Sequence, residues 1–272
     1  MKSVIKIFQE QHQYFYLIRR LSLYELKSQN KSNYLGMAWE VINPVIQVLI
    51  YWFVFGSIRQ RADVEVAPGM EVPFITWLLG GFILWIFFFQ STIQGSKSIY
   101  SRLRMLSKMN FPMSVIPSYV IFSKFYIHLF MIFIAICIYS AMGYYPSIYY
   151  LQLIYFSIAT FVLLFAISLI TSTLSTIIRD VHMFLNSTLR MMLYLSPVLW
   201  QMTILPAPLP TILKLNPLYY LIEGYRSALY GLDWYFITNW QYTLYFWVVV
   251  FLLLWLGSTL HLRFRRHFID YL

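Results

Sequence analysis

A 54-residue stretch without Lys, Arg, Asp or Glu limits this chain more than any other feature. It runs from Phe125 to Ile178. A helix rises about 1.5 Å per residue, so one helix of that length would measure about 80 Å, whereas a bilayer core is about 30 Å thick. The turn sequence Gly143-Tyr144-Tyr145-Pro146-Ser147 divides the stretch near its middle. The stretch therefore predicts two membrane-spanning helices, and they become the third and fourth spans.

Three other long gaps between charged residues, and one apolar stretch that contains a single arginine, predict four more spans. They run from Val41 to Ile58, from Val72 to Ser96, from about Met183 to Met202 and from about Trp234 to Leu262. Only 11% of the residues are charged and 60% are hydrophobic, against about 25% charged in a soluble domain. We expect an all-α integral membrane protein with six transmembrane helices. Its parts are a cytoplasmic N-terminal segment (1–36), a six-span domain (37–262) and a cytoplasmic basic tail (263–272).

The positions of the basic residues agree with this layout. Cytoplasmic loops of membrane proteins carry an excess of Lys and Arg. With both termini in the cytoplasm, 16 of the 20 Lys and Arg fall on the inner side. The other four are Arg59, Arg61, Lys214 and Arg226. The formal charge of +10 is thus explained by topology and lipid contact, and nucleic acid is not expected as a partner.

The N-terminal segment has the pattern of a helix that lies on a membrane surface. One helical face carries apolar and aromatic residues, and the cations Arg19 and Arg20 lie away from it. The residues of that face are Tyr14, Leu17, Ile18, Leu21 and Tyr24. A basic amphipathic helix of this kind suits the interface of an anionic leaflet. The sequence therefore predicts an interfacial helix that contacts membrane lipids.

The longest internal loop between spans, Lys97 to Pro117, also has amphipathic character. Ile99, Leu103 and Leu106 recur at helical spacing among cationic residues, and Pro112 then stops the helix. Such a helix can rest on lipid, or it can dock on a soluble partner and pass a movement to the spans.

Arg190 stands out within the predicted fifth span. If that span starts near Val181, Arg190 lies roughly 13–15 Å along it. Arginine at that depth is costly unless it reaches the headgroups, pairs or faces water. Two interpretations stay open at this point: a side chain that extends to the inner headgroups, or one that faces a cavity and binds a phosphate of a cargo.

Two predicted outer segments differ in character. Arg59 to Glu71 is short and carries both charges, so we expect a solvated connector. Between spans five and six, Asn216-Pro217 is a helix start signal, and Gly231 is a helix stop. Leu218, Leu221, Ile222, Tyr225 and Leu229 make one apolar face. The sequence predicts re-entrant helices that dip back into the outer leaflet.

Several motifs are absent from the sequence. No G-x-x-x-x-G-K-[ST] is present, so ATP binding through a P-loop is not expected. No grouping has metal-ligand spacing, no hydrolase motif occurs, and the spans lack the acidic chains of a proton-coupled carrier. We therefore expect no catalytic residue, metal or cofactor on this chain. A transporter of this composition would take its energy from an ATPase on another chain.

A set of short motifs resembles the ABC-2 type permeases that export polysaccharides, which include those for O-antigen, capsule and wall teichoic acid. The motifs in chain order are Glu25-x-Lys27, Lys31-Ser32, Leu35-Gly36-x-x-Trp39, Asn43-Pro44, Asn110-Phe111-Pro112, Arg179-Asp180-Val181, Ser196-Pro197 and Leu215-Asn216-Pro217. One departure is Ser32-Asn33, where the family often has glycine. The resemblance implies a multi-pass protein of a bacterial cytoplasmic membrane.

This resemblance also implies partners and site residues. Two copies would join two ATP-binding subunits, which hold ATP and Mg, and would move a polyprenyl-diphosphate-linked glycopolymer. The expected diphosphate or headgroup site is Arg19, Arg20, Lys27, Lys31 and Arg190. The expected coupling helix comprises Ile99, Arg102, Leu103, Leu106, Lys108, Phe111 and Pro112. The expected outer gate comprises Asn216, Pro217, Tyr219, Tyr220, Glu223 and Arg226.

Wall teichoic acid is the expected cargo, because the N-terminal segment and the region from Arg190 to Pro197 look most like the teichoic acid permeases. An O-antigen or capsule permease is the alternative within transport. A membrane-embedded lipid-sugar transferase is the alternative from another class; it would need an acidic site, for which the candidates are Glu40, Asp180 and Glu223. A non-catalytic membrane scaffold is the third alternative.

Overall fold

The computed structural model describes residues 2–29, 31, 34–58, 63–103, 112–201 and 206–271, and most of them are helical. The α-helices in chain order are α1 Lys2–Gln13, α2 Phe15–Gln29, α3 Trp39–Trp52, α4 Phe74–Lys97, α5 Val115–Ala141, α6 Leu151–Ile177, α7 Asp180–Leu195, α8 Leu209–Leu213, α9 Pro217–Tyr230, α10 Tyr235–Thr238 and α11 Trp240–Phe264. Short 3-10 helices at Gly36–Ala38, Ile148–Tyr150 and Arg265–Tyr271 and a π-helix at Phe53–Ile58 extend several of them.

Five helical segments are long and apolar enough to cross a membrane. They are Gly36–Gly56, Phe74–Lys97, Val115–Ala141, Ile148–Ile177 and Trp240–Phe268. They confirm five of the six predicted spans, including the division of the long uncharged stretch into two helices. The all-α membrane fold is therefore confirmed.

The predicted fifth span differs from the expectation of a helix to Met202. Helix α7 has 16 residues, about 24 Å, which is shorter than a bilayer core of about 30 Å. It ends at Leu195 because Pro197 has no N–H and favours extended backbone at Ser196. The chain then continues as non-helical backbone over residues 196–201.

Helix α7 and residues 196–201, which we call the fifth pass, nevertheless connect the two ends of the helix bundle. Near its start, the Nδ1 atom of His182 lies 2.7 Å from the Oγ atom of Ser96, at the end of α4. At its far end, the side-chain amide of Gln201 donates to the carbonyl oxygen of Glu65 over 3.1 Å. The fifth pass is thus a short helix followed by non-helical chain.

One end of the bundle, which we call the terminal end, carries α1, α2 and the C-terminal 3-10 helix. Helix α1 packs on α11, and α2 packs on α5. Ile18 and Phe268 are buried in one cluster with Ile99 and Leu103. The N-terminal segment, in which the sequence predicts an interfacial helix, contains two helices that pack partly on the protein itself. The predicted basic tail, 263–272, is continuous with the bundle, because α11 continues to Phe264 and Phe268 is fully buried.

Ion pairs hold the terminal end together. Arg265 donates to Glu10 over 2.7 Å, Lys124 donates to Glu40 over 2.9 Å, and Arg102 pairs with Glu25. Burial raises the pKa of Glu10, but hydrogen bonds from Arg265 and Ser114 outweigh that effect and leave the pKa below its ordinary value. These pairs connect segments that are far apart in sequence.

The opposite end, which we call the hairpin end, carries α8, α9, α10 and a small two-stranded sheet. Strands β1 Val64–Ala67 and β2 Met70–Val72 pair in antiparallel register, with Val64 opposite Val72. Gly69 lies in the turn with a φ of 76°, where glycine is favoured. The expected plain connector is therefore structured as a hairpin over its described residues.

Candidate functional site

Helix α9, Pro217–Tyr230, is formed by the local signals that predicted it. The side chain of Asn216 accepts a hydrogen bond from the backbone N–H of Leu218 over 3.0 Å, and Pro217 occupies the first position. Gly231 ends the helix in the left-handed conformation with a φ of 66°. Asn216 also donates to the Oγ atom of Ser196 over 3.2 Å, so the helix start is tied to the break in the fifth pass.

This helix lies inside the bundle, where it packs on α4 and α6. All five residues of the predicted apolar face are buried. The hydroxyl of Tyr225 lies 2.7 Å from Nε2 of His128 and 2.7 Å from Oγ of Ser157. A Cβ atom at Gly224 would lie 2.2 Å from the ring of Phe156, so only glycine allows this close approach. The predicted re-entrant helix is thus present and is buried between spans.

Arg226, which the sequence places on the outer side and in the predicted gate, is buried. Its side chain is 2% exposed and pairs with Glu223 over 2.7 Å. It also donates to the backbone carbonyls of Trp77, over 3.2 Å, and Val198, over 3.3 Å. Its Cζ atom lies 3.6 Å from the centroid of the Trp77 ring, a cation–π distance. Trp77 is buried too.

These contacts explain how the break in the fifth pass is tolerated. Non-helical backbone at membrane depth is stable only where the protein satisfies its polar groups. Residues 196–199 are buried, and Arg226 donates to one of their carbonyls, that of Val198. Gly81 leaves room for the guanidinium, since a Cβ atom there would lie 2.6 Å from Nη2 of Arg226. Arg226 therefore joins α9, α4 and the non-helical segment.

A cavity of about 510 Å³ opens at the hairpin end; we call it the hairpin cavity. Its lining includes Tyr219, Glu223 and Arg226 from α9, residues 65–68 of the hairpin, Trp77, Gln201, Asp233, Tyr235 and Asn239. Three of the six predicted outer-gate residues therefore meet here. Tyr220 points instead into the bundle, where its hydroxyl lies 2.9 Å from Oγ1 of Thr243 and 3.1 Å from the hydroxyl of Tyr155.

A second cavity, of about 480 Å³, contains Arg190; we call it the Arg190 cavity. It lies between α3, α4 and α7, and its lining is Gln47, Tyr51, Trp85, Ile86, Phe89, Gln90, Arg190, Leu193 and Tyr194. Arg190 is exposed and has no ion-pair partner within the described part of the chain. The sequence signal that was missed is Gln47 and Gln90, polar residues inside apolar spans.

The other predicted phosphate-binding residues lie elsewhere. Arg19, Arg20 and Lys27 are exposed on α2, and Lys31 is exposed just after it. Helix α2 packs on α5, whereas α7 packs on α4 and α6. The structure therefore does not gather these four cations around Arg190, and they form an exposed basic surface at the terminal end.

The predicted coupling helix is only partly described. Ile99 and Leu103 are buried against α5 and the N-terminal helices, and Arg102 pairs with Glu25 and lies 5.7 Å from the ring centroid of Tyr119. Arg102 stays partly exposed, whereas Ile99 and Leu103 are buried within this chain and do not present an exposed surface. Their apolar spacing reflects internal packing. Pro112 is partly buried, and Leu106, Lys108 and Phe111 lie outside the described residues.

The structure is a multi-pass helical membrane protein with two polar cavities and a re-entrant helix. Among the residues described, no three His, Cys, Asp or Glu are placed to hold a metal ion. Residues 16–230 match the family model described as ABC-2 type transporter. The chain therefore belongs to the ABC-2 type transporter family.

Known relatives cover most of the chain. An O-antigen export system permease protein RfbA from Klebsiella pneumoniae is 26% identical over 250 residues, which is 91% of this chain and 92% of the relative. Another Klebsiella pneumoniae protein of that name is 27% identical over 75% of this chain and 76% of its own length. A protein of the same name from Myxococcus xanthus is 24% identical over 84% of this chain and 85% of its own length.

Proposed function

We propose that this chain is the membrane-spanning permease of an ABC exporter that moves a lipid-linked surface polysaccharide of the O-antigen kind. The observation that carries the proposal is the end-to-end similarity to a protein named as an O-antigen export permease, which covers 91% of this chain. The ABC-2 family match over residues 16–230 supports the transport class.

The teichoic acid cargo expected from the sequence is not supported, and the O-antigen alternative is favoured instead. The three relatives described above carry O-antigen export in their names. The motifs that suggested teichoic acid belong to the polysaccharide permeases as a group, so they report the family and do not identify the polymer.

The energy would come from partner subunits. The sequence has no P-loop motif, and an ABC permease works with ATP-binding subunits. We propose an assembly of two copies of this chain with two such subunits, which bind ATP and Mg. The loop between α4 and α5 remains our proposed contact for them. Because Ile99 and Leu103 are buried within this chain, they would hold the start of this loop against the bundle and would not touch the ATP-binding subunit.

Arg190 is the residue that we propose for the diphosphate of the cargo. It is exposed in a cavity that also contains Gln47 and Gln90. The guanidinium group presents a fixed fork of donors that matches phosphate oxygens. The basic surface of Arg19, Arg20, Lys27 and Lys31 would attract the anionic headgroup to the permease before it reaches Arg190.

The positions of the acidic residues speak against a lipid-sugar transferase. Glu40 pairs with Lys124 at the terminal side of the bundle, and Glu223 pairs with Arg226 in the hairpin cavity. Asp180 begins α7, close to the end of α4. The three candidates therefore do not form one site, and two of them are neutralised by basic partners.

Deletion of the gene in its own host tests the proposal. We expect loss of the surface polysaccharide and accumulation of a polyprenyl-diphosphate-linked glycan inside the cell, both restored by the wild-type gene. Mass spectrometry of the accumulated lipid identifies the polymer. A glycan without repeating phosphate supports the O-antigen kind, and a glycerol- or ribitol-phosphate polymer supports teichoic acid. Unchanged surface polysaccharide and no accumulation would refute export of either kind.

A further inference from the structure

The hairpin cavity has the size and lining of a binding site. Its volume of about 510 Å³ lies within the usual range for small-molecule sites, about 300–1,000 Å³. Tyr219, Glu223 and Arg226 lie on one face of α9, at spacings of four and three residues. The end of β1 and the first residue of the turn, 66–68, face them from another side. Separate segments of the chain thus enclose one space.

The walls of this cavity combine aromatic rings with hydrogen-bonding groups. Tyr219 and Tyr235 line it and are partly exposed. The amide side chains of Gln201 and Asn239 lie in the same lining. Aromatic faces cover the apolar face of a sugar ring, while amides and carboxylates bind hydroxyl groups. This combination suits a carbohydrate.

The charge of the cavity is acidic. Glu65, Glu223 and Asp233 line it, and Arg226 is the one cation among the lining residues that the structure describes. Each of the three nitrogens of that guanidinium already donates to Glu223 or to a backbone carbonyl. Lys214 lies nearby, with its Nζ atom 5.6 Å from the ring centroid of Tyr219, but it is not in the lining. A phosphate group would therefore meet carboxylates and a guanidinium that is already occupied.

The Arg190 cavity has the opposite character. Arg190 is exposed there, and no Asp or Glu is present among its described lining residues. The carboxylates of the hairpin cavity repel an anion, whereas the Arg190 cavity has no carboxylate among its described lining residues that would do so. The two cavities thus suit different parts of one lipid-linked polymer.

We propose that the hairpin cavity binds sugar units of the exported polymer and selects an uncharged glycan over a polymer with phosphate in every repeat. This inference rests on the proposed function, because it names the polymer class that the same exporter handles. Tyr219 supplies an aromatic face. Glu65 and Asp233 supply acceptors for hydroxyl groups and repel phosphate.

The test measures binding to the full-length chain in lipid nanodiscs, since maltoside detergents carry sugars of their own. The probes are the delipidated glycan released by mild acid from the host's own surface and a hexamer of glycerol phosphate. We expect the host glycan to bind at least tenfold more tightly than the glycerol phosphate hexamer. Equal or tighter binding of the hexamer would overturn the selection by charge.

Three variants locate the site. Tyr219→Ala should weaken glycan binding at least fivefold. Tyr219→Phe keeps the ring and should bind the glycan as the wild type does. Trp240→Ala changes an exposed residue outside the cavity and should also bind as the wild type does. Unchanged binding by Tyr219→Ala, or an equal loss in Trp240→Ala, would show that the glycan binds elsewhere.

The charge argument has its own matched control. Glu65→Gln combined with Asp233→Asn removes two cavity carboxylates and should reduce the preference for the uncharged glycan to less than threefold. Glu71 is the cross-strand partner of Glu65 but is outside the lining of the cavity. Glu71→Gln should therefore leave the preference for the uncharged glycan intact. A preference that the double variant does not change would overturn the proposal.

Export by the same variants in the host separates the two proposals. If the wild type exports the glycan while Tyr219→Ala both binds and exports normally, the cavity inference fails and the proposed function stands. If the wild type does not affect surface glycan in the deletion strain, the proposed function itself fails.

Discussion

Replacement of Arg226 by Met tests whether this residue holds the broken pass against the re-entrant helix. Methionine keeps most of the side-chain length but removes the ion pair with Glu223 and the hydrogen bonds to the carbonyls of Trp77 and Val198. Removal of one partner of a buried pair costs about 3–5 kcal/mol. The side chain of Glu223 is 29% exposed and can be partly rehydrated, so we expect about 3 kcal/mol, at the lower end of that range.

That free energy corresponds to a measurable change in thermal stability. For a chain of this size, each kcal/mol lowers the Tm by about 2–4 °C, so Arg226→Met should lower the Tm by about 6–12 °C. The assay is the loss of the monodisperse peak in size-exclusion chromatography after heating in one detergent and at one heating rate. A decrease below about 2 °C would refute the structural role that we assign to Arg226.

Two further variants make this test specific. Arg190→Met is the same chemical change at an exposed arginine without an ion-pair partner among the described residues, and its Tm should stay within about 2 °C of the wild type. The double variant Arg226→Met with Glu223→Gln should recover part of the loss, because no carboxylate is then left without its cation. A double variant less stable than Arg226→Met would contradict the ion-pair explanation.

Three other predictions follow from the same structure. Arg190→Met should reduce surface polysaccharide at least tenfold at equal protein level, with partial activity in Arg190→Lys; normal export by Arg190→Met would refute the phosphate role. Gly81→Ala places a Cβ atom 2.6 Å from Nη2 of Arg226 and should cost about 1–3 kcal/mol of stability, but clearly less in the Arg226→Met background, and equal losses in both would contradict the contact. Glu10 has a lowered pKa in the folded protein, so its pair with Arg265 should stabilise the protein above the ordinary glutamate pKa of about 4.3 and lose that effect as the pH falls through the folded-state pKa. The Tm difference between the wild type and Glu10→Gln should therefore be present at pH 7 and disappear in acid, and a difference independent of pH would contradict this account.

Local signals in the sequence predicted the elements well. The absence of charge from Phe125 to Ile178 and the turn at residues 143–147 predicted α5 and α6 because length, charge and turn residues act within one segment. Asn216, Pro217 and Gly231 predicted the start and end of α9 for the same reason. Pro197 also carried a local signal, but the fifth span was nevertheless predicted as a continuous helix to Met202.

The candidate site could be predicted only in part. The sequence identified Arg190 because a charge within an apolar span is conspicuous by itself. It could not identify the cavity around that residue, since Gln47, Gln90 and Tyr194 come from three different helices. It also assigned Ile99 and Leu103 to a partner surface, because helical spacing shows which face is apolar and does not show what covers it.

By itself, the sequence determined the membrane class, the positions of five spans, the capped helix before the last of them and the family resemblance. These depend on neighbouring residues along one chain, through hydrophobic length, charge and capping. Tertiary structure alone decided that Arg226 is buried over Trp77 and bonded to Val198, and that the two cavities differ in charge. Those properties depend on which segments meet in space. The spacing of residues 77, 198 and 226 along the chain does not indicate that they are in contact.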